Sequence, residues 1–329
     1  MKYSVIIPAF NAKKTIIKTI NSVLLSFSSD TEIIIIDDCS TDETYGVICD
    51  IISKENNKVK ILYYKNERNI GVSASRNKGI VKSTGKYLLF VDADDVIEIG
   101  TKTYIDEIIH QNEGVEIIRF NHSRASDDEL NIIGNKIEDI PVDLFKSYYF
   151  HSSCTQIVVR YLFEQVNYNE DLIFGEDMLL SFELLTKSNS FVLLSNKFYI
   201  YNEVESSVSN RINLEHSINC IDSICVVYDR LEELFSRNSE VKKILNIKKN
   251  KELSLQLLKV LKISEKHYEN VIEKYRKEYI STKSLPKNFY NLHAFSVFRN
   301  YKILEKVLNF VYIQLKGKNN EKSNYLRNI

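Results

Sequence analysis

The stretch LLFVDADDVIEIG, residues 88–100, decides the fold. An apolar run of strand character ends abruptly in three carboxylates, Asp92, Asp94 and Asp95, with only Ala93 between the first two. Carboxylates packed at the end of a buried strand are costly unless something compensates them. Two readings account for them. Either the aspartates cap the turn and helix that follow, or they hold a hard divalent cation, Mg2+ or Mn2+. Such a cation accepts one or two carboxylates and completes its shell with water and phosphate oxygens.

Three similar runs lie upstream. YSVIIPAF, EIIIIDD, VKILYY and KYLLFVD begin roughly 28 residues apart, the length of a strand plus a crossover helix. They are apolar at nearly every position, as expected of parallel strands covered on both faces. The spacing predicts helices over about 13–27, 42–55, 72–83 and 101–112, with Ser40 or Thr41 of STDET as an N-cap. Further on, GEDMLLSFELLTK (175–187) reads as a loop entering a helix and FVLLSNKFYIYNE (191–203) as one or two strands. From about residue 214 the pattern is helical to the end. The expected class is α/β: a mostly parallel sheet flanked by helices, with a helical C-terminal extension.

At 329 residues, with 44% apolar and 27% charged residues and no low-complexity tract, the chain has ample core for such a domain plus an appendage. Its formal net charge of zero hides an asymmetry. Residues 241–329 hold 20 Lys+Arg against 7 Asp+Glu, leaving 24 against 37 before them. The acidic body argues against nucleic acid as a partner, and the basic end suits an anionic surface. Cys39, Cys49, Cys154, Cys220 and Cys225 form no CxxC pair and read as reduced cytosolic thiols. MKYSVIIPAF reads as a strand, not a signal peptide, and no stretch approaches the length of a spanning helix.

Ligands of open parallel sheets bind outside the carboxyl ends of the strands, where DDCSTD (37–42) and DADD (92–95) both fall. NIGVSASRNKGI (69–80) adds Gly71, Arg76, Asn77 and Lys78, either a solvated helix start or a glycine turn with cations suited to a diphosphate. No GxGxxG follows the first strand, which disfavours a dinucleotide site. FGEDMLL places Glu176 and Asp177 ahead of an apolar helical run. These are either charges at a helix N-terminus or a general base for an incoming hydroxyl.

Taken together, SVIIPAFNA, IIIIDDCSTDET, NIGVSASRNKGI, YLLFVDADD and GEDMLL, in this order and spacing, resemble the family 2 inverting glycosyltransferases of the GT-A fold. The resemblance covers residues 3 to about 210. It implies that Pro8, Ala9 and Phe10 line a base pocket and that Asp38 accepts from a uridine-type base, with Ser40 and Asp42 shaping that loop. It places Arg76 near the diphosphate, Asp94 as the direct metal ligand, Asp92 at the ribose or a metal-bound water, and Asp95 at the donor sugar. Asp177 matches the catalytic base, preceded by Glu176. The implied division is a nucleotide-sugar-binding half over 1–120, an acceptor-binding half over 121–213 and a basic helical region over 214–329.

The implied activity is metal-dependent transfer from a nucleotide sugar, most simply a UDP-sugar, to a glycan or lipid-linked acceptor of a bacterial surface polysaccharide such as capsule or lipopolysaccharide. Two departures stand out. SSCTQIVVRYLF (152–163) lacks the family's Trp and keeps only Arg160 of a basic pair, and YIYN (199–202) puts Asn202 where an Arg is frequent. A different class, a silent glycan- or nucleotide-binding module of the same fold, stands opposed by intact Asp94 and Asp177. In the tail, AFSVFRNYKILEKVLNFVYIQLKGK (294–318) sets Val297, Tyr301, Leu304, Leu308, Val311 and Leu315 at helical spacing. That stripe packs on the catalytic domain or on a second copy of the chain, or it sits on the cytoplasmic leaflet as a peripheral anchor.

Overall fold

The computed structural model describes residues 1–27, 30–54, 59–126, 129–202, 213–275, 293 and 308–309. The four expected strands form in register: β1 (Tyr3–Ala9), β2 (Thr31–Asp37), β3 (Lys60–Lys65) and β4 (Tyr87–Phe90). They run parallel in the order 3-2-1-4, with Ile6 opposite both Ile34 and Phe90. Every residue of β1, β2 and β4 is buried, which is why these segments are apolar without alternation. The edge strand β3 is only partly covered and carries exposed Lys60 and Lys65, charges that discourage edge-to-edge pairing.

Helices α1 (Ile16–Ser26), α2 (Thr44–Lys54) and α3 (Val72–Lys82) join these strands, and α4 (Thr101–Gln111) follows the acidic turn. The expected N-cap of α2 at Ser40 or Thr41 is displaced to Asp42, whose Oδ1 accepts from the Thr44 N–H at 3.0 Å. Ser40 is drawn elsewhere: its Oγ accepts from the Asn11 N–H at 2.9 Å. Helix α3 packs closely on β1, where Gly79 makes room for Ile6.

Beyond β4 the sheet becomes mixed. β5 (Val96–Ile97), β6 (Ile117–His122), β7 (Asn131–Gly134), β8 (Gln156–Val159) and β9 (Phe191–Ile200) extend it in the order β4-β8-β6-β9-β5, with β7 also on β9. β8 runs antiparallel to both β4 and β6, while β6 and β9 are parallel. The segment 191–200 is therefore one strand. Helix α5 (Glu176–Lys187) buries Met178, Leu179, Leu180, Phe182, Leu184 and Leu185.

The chain divides into two compact units, Met1–Glu170 with Glu176–Glu205, and Asp171–Gly175 with Ser206–Ile329. The boundary expected near residue 120 falls inside β6. In the second unit α6 (Leu214–Leu234), α7 (Ser239–Ile263) and α8 (Glu265–Tyr275) bury an aliphatic seam that includes Ile224, Leu231, Leu253 and Leu257. No helix among the described residues is long and apolar enough to cross a membrane. The stripe expected over 294–318 lies outside the described residues, apart from 308–309.

Candidate active site

The carboxyl ends of β1, β2 and β4 carry the expected loops. Two non-glycine residues there adopt positive φ, Asn11 at 51° and Cys39 at 62°, a strained geometry that tends to mark functional loops. Pro8 and Ala9 are buried in β1, whereas Phe10 is 47% exposed just beyond the strand. Asp38 is buried. One of its oxygens accepts from Asn66 Nδ2 at 2.9 Å and the Ile70 N–H at 2.8 Å, and the other from the Gly71 N–H at 2.8 Å. The carboxylate thus pins the glycine turn that opens α3, where Gly71 sits at φ 88°. Asp42 Oδ2 also accepts from the Lys13 N–H at 3.2 Å, joining the first two loops.

In the DADD turn each aspartate has a distinct setting. Asp92 accepts from Arg76 Nη2 at 2.8 Å. Asp95 is buried between the Tyr199 hydroxyl, 2.8 Å away, and the Asn202 N–H, 2.9 Å away. Burial pushes its carboxyl up to about 7, opposed by the Asn202 N–H and reinforced by the charge of Asp92. Asp94 is raised by burial and by Asp92, and no side chain among the described residues donates to its carboxylate. The Asn202 side chain donates to the Asp94 carbonyl oxygen at 2.6 Å. At the position where an Arg is frequent, Asn202 therefore braces the acidic turn.

Arg76 is the centre of the constellation. It lies one turn into α3, is 3% exposed, and donates from Nη2 to Asp92 and from Nη1 to Asp177 at 2.9 Å. Burial alone would favour loss of its proton, but the Asp177 and Asp92 carboxylates more than offset this and hold the guanidinium charged. Its guanidinium carbon lies over the Tyr168 ring, 5.2 Å from the ring centroid, and its buried Nε has no partner among the described residues. Asp177 and Glu176 occupy the first turn of α5, where negative charge is favoured, and the chain enters that helix through Gly175 at φ 78°. Burial, with the neighbouring Asp177 charge, pushes Glu176 up to about 7.

Among the described residues no three His, Cys, Asp or Glu groups converge as a closed metal cage. Asp94 and Asp92 instead fit a cation completed by phosphate oxygens and water: Asp94 is a half-buried carboxylate without a side-chain donor among the described residues, and extra positive charge there would offset its burial.

The geometry joins three segments distant in sequence, the start of α3, the end of β4 and the start of α5. Several residues of the joint were not foreseen: Ser153 and Tyr168 beside Asp177, Tyr199 under Asp95, Asn66 under Asp38, and Arg119 in the supporting layer. Arg119 is fully buried, which lowers it to about 10, and it donates to the Tyr149 and Ser152 carbonyls, Gln156 and Ser181. Its place in EIIRFNH, a cation midway in an apolar run, was a visible sign.

An α/β sheet with acidic loops at its carboxyl edge and a carboxylate-bearing helix facing them is the architecture of a GT-A domain. Residues 4–113 match the Glycosyl transferase family 2 model, so this third of the chain is similar to that family. The chain is 33% identical over 196 residues to an uncharacterised glycosyltransferase of Rickettsia conorii, covering 57% of this chain and 31% of that protein. It is 29% identical over 210 residues to the poly(ribitol-phosphate) beta-N-acetylglucosaminyltransferase TarS of Staphylococcus aureus, covering 61% and 35%. The chain thus spans about a third of each of these relatives' length.

Among solved structures, S. aureus TarS 1–349 with UDP-GlcNAc superposes at a TM-score of 0.67 and 18% identity, covering 95% of this chain and 92% of that one. A mannosyltransferase from Pyrobaculum calidifontis in complex with GDP-Man and Mn2+ does so at 0.56 and 10%, covering 98% and 88%. At these identities the superpositions establish the shared fold.

Proposed function

We propose that the chain transfers a sugar, with inversion, from a UDP-sugar to a hydroxyl of a glycan or lipid-linked acceptor in the assembly of a bacterial surface polysaccharide. The observation that carries this reading is the buried guanidinium of Arg76, which draws together Asp92 of the DxD turn and Asp177 of α5. Phe10, half-exposed beside the Asp38 loop, offers a face for the uracil. Asp177 takes the acceptor proton as the acceptor oxygen bonds to the anomeric carbon. The carbon–oxygen bond to the diphosphate breaks on the opposite side, and its electron pair leaves with UDP.

Mn2+ or Mg2+, held by Asp94 and Asp92, would supply charge to stabilise the departing diphosphate. Arg76, tied to Asp92 and Asp177, sets the distance between donor and base. TarS is named for a poly(ribitol-phosphate) acceptor and was solved with UDP-GlcNAc, which supports a UDP-sugar donor and a polymer hydroxyl acceptor here. We further assign the chain to the cytoplasm, peripheral on the inner leaflet through its basic end.

Asp177→Asn tests the reading. The variant is expected to keep its thermal shift with UDP-GlcNAc plus Mn2+ and to lose turnover by about 10²–10⁴-fold, the range of general-base catalysis. Wild-type turnover in the variant would remove Asp177 from the chemistry. The same panel without metal, or with Asp94→Asn, is expected to give a smaller shift. Equal shifts with and without Mn2+ would show the aspartates to be caps.

A further inference from the structure

Asp177 presents two oxygens that are not equivalent. Its Oδ1 accepts from Arg76 Nη1 at 2.9 Å and from the Ser153 hydroxyl at 2.7 Å, while Oδ2 accepts no hydrogen bond among the described residues. The Ser153 hydroxyl in turn lies 2.6 Å from the Tyr168 hydroxyl. An ionised carboxylate can only accept, so Ser153 must donate to Asp177. Its single hydrogen is then committed, and Tyr168 must donate to Ser153. The proton order Tyr168 to Ser153 to Asp177 has one direction.

The relay is rigid. Ser153 is fully buried and Tyr168 nearly so, and the Tyr168 N–H donates to Asn77 Oδ1 at 3.0 Å, fixing the residue on α3. Arg119 holds the next layer: Nη2 donates to the Ser152 carbonyl at 2.7 Å and Nη1 to Ser181 Oγ at 3.1 Å. Ser181 Oγ donates onward to the Asp177 carbonyl at 2.7 Å. The loop bearing Ser153 and the helix turn bearing Asp177 therefore share one buried support.

We propose that Ser153, oriented by Tyr168, is a positioning residue that together with Arg76 occupies Oδ1 of Asp177 and reserves Oδ2 for the acceptor proton. This rests on the reading of Asp177 as the base. Two donors on one oxygen stop the carboxylate from rotating, and they present the free oxygen in one orientation to the acceptor hydroxyl. The family's Trp-bearing stretch is replaced here by SSCTQ, and Ser153 gives that stretch a task of its own.

The test uses the full chain and follows UDP release from UDP-GlcNAc, UDP-glucose and UDP-galactose, carrying the fastest donor into the variants. Ser153→Ala is expected to lower kcat roughly 10- to 100-fold, the worth of one hydrogen bond to a charged group, with the donor KM unchanged. Ser153→Thr keeps the hydroxyl and should restore kcat, and Tyr168→Phe should fall between them. A readout without substrate is the Asp177 carboxyl carbon in ¹³C-aspartate protein, assigned by its loss in Asp177→Asn. Its chemical shift at fixed neutral pH should change in Ser153→Ala and not in Ser153→Thr.

Wild-type kcat or an unmoved resonance in Ser153→Ala, with Asp177→Asn inactive, overturns the proposal and leaves Asp177 as the base. An active Asp177→Asn overturns the base itself. Should Ser153→Ala lose its nucleotide thermal shift, Ser153→Thr decides: wild-type kcat upholds the proposal and its loss overturns it.

Discussion

Asp106 shows how single residues hold this sheet to its helices. On α4, its carboxylate accepts from Lys2 and Tyr3 of the first strand region and from Lys102 at 2.6 Å. Burial alone would raise its pKa, but the hydrogen bonds from Lys102, Lys2 and Tyr3 outweigh that and hold the carboxyl below the ordinary range. The unfolded chain therefore takes up this proton first, near pH 4, while the folded chain resists it. Asp106 thus stabilises fully above that value, and its contribution fades as pH falls through the depressed folded value. Asp106→Asn should lower stability by about 1 kcal/mol at pH 7, with the gap between wild type and variant narrowing as the pH of the urea melts falls below about 4. A gap that stays constant as pH falls would show that the loss is one of packing. The same physics governed what the sequence made legible at the site. Asp38, Asp92, Asp94, Asp95 and Asp177 stand out because carboxylates beside apolar runs need a reason. Ser153 and Tyr168 did not, since a hydroxyl's partner is set by tertiary placement, 24 residues away for Ser153 and Asp177.

Elements explain why the first half of the sheet was readable and the second was not. β1 to β4 are fed by one strand-and-helix period, so local pattern and global topology agree. β5, β7 and β8 are two, four and four residues long, too short for any period, and their antiparallel partners β9, β4 and β6 lie far away in sequence. The contact between α3 and β1 carries the most functional weight, because α3 presents Arg76. A Cβ at Gly79 would come within 2.4 Å of Ile6 Cγ2, and Ile6 is a fully buried, β-branched side chain with little freedom to yield. Gly79→Ala should therefore lift α3 and cost about 1–3 kcal/mol despite the better helix propensity of alanine. The expected result is a lower urea midpoint at unchanged slope, with turnover reduced as Arg76 shifts one turn away. An unchanged or raised midpoint would mean that the sheet accommodates the methyl group and that the close approach is not a constraint.

At the scale of the whole molecule the charge asymmetry has its own physics. Residues 241–329 carry 20 Lys+Arg against 7 Asp+Glu, but not all of this charge is available to a surface. Lys249 on α7 is buried and paired with Asp229 at 2.8 Å, and burial lowers Lys248 to about 8. The charge that can meet a membrane must therefore come in large part from the cations further along, among them Arg299, Lys302 and Lys306. A polybasic segment gains about 1 kcal/mol per cation near an anionic leaflet, and the attraction falls off within a Debye length. Full-length protein should float with phosphatidylglycerol vesicles at low salt, stay behind with phosphatidylcholine vesicles, and be released as salt rises. Converting Arg299, Lys302 and Lys306 together to Glu should lower partitioning by about a hundredfold or more, because each change removes an attraction and adds a repulsion. Urea melts of this variant should match wild type, which separates membrane binding from folding. Equal flotation by wild type and variant, or none by either, would remove the membrane from the reading and leave the apolar stripe of 294–318 to an intramolecular face or a second copy of the chain.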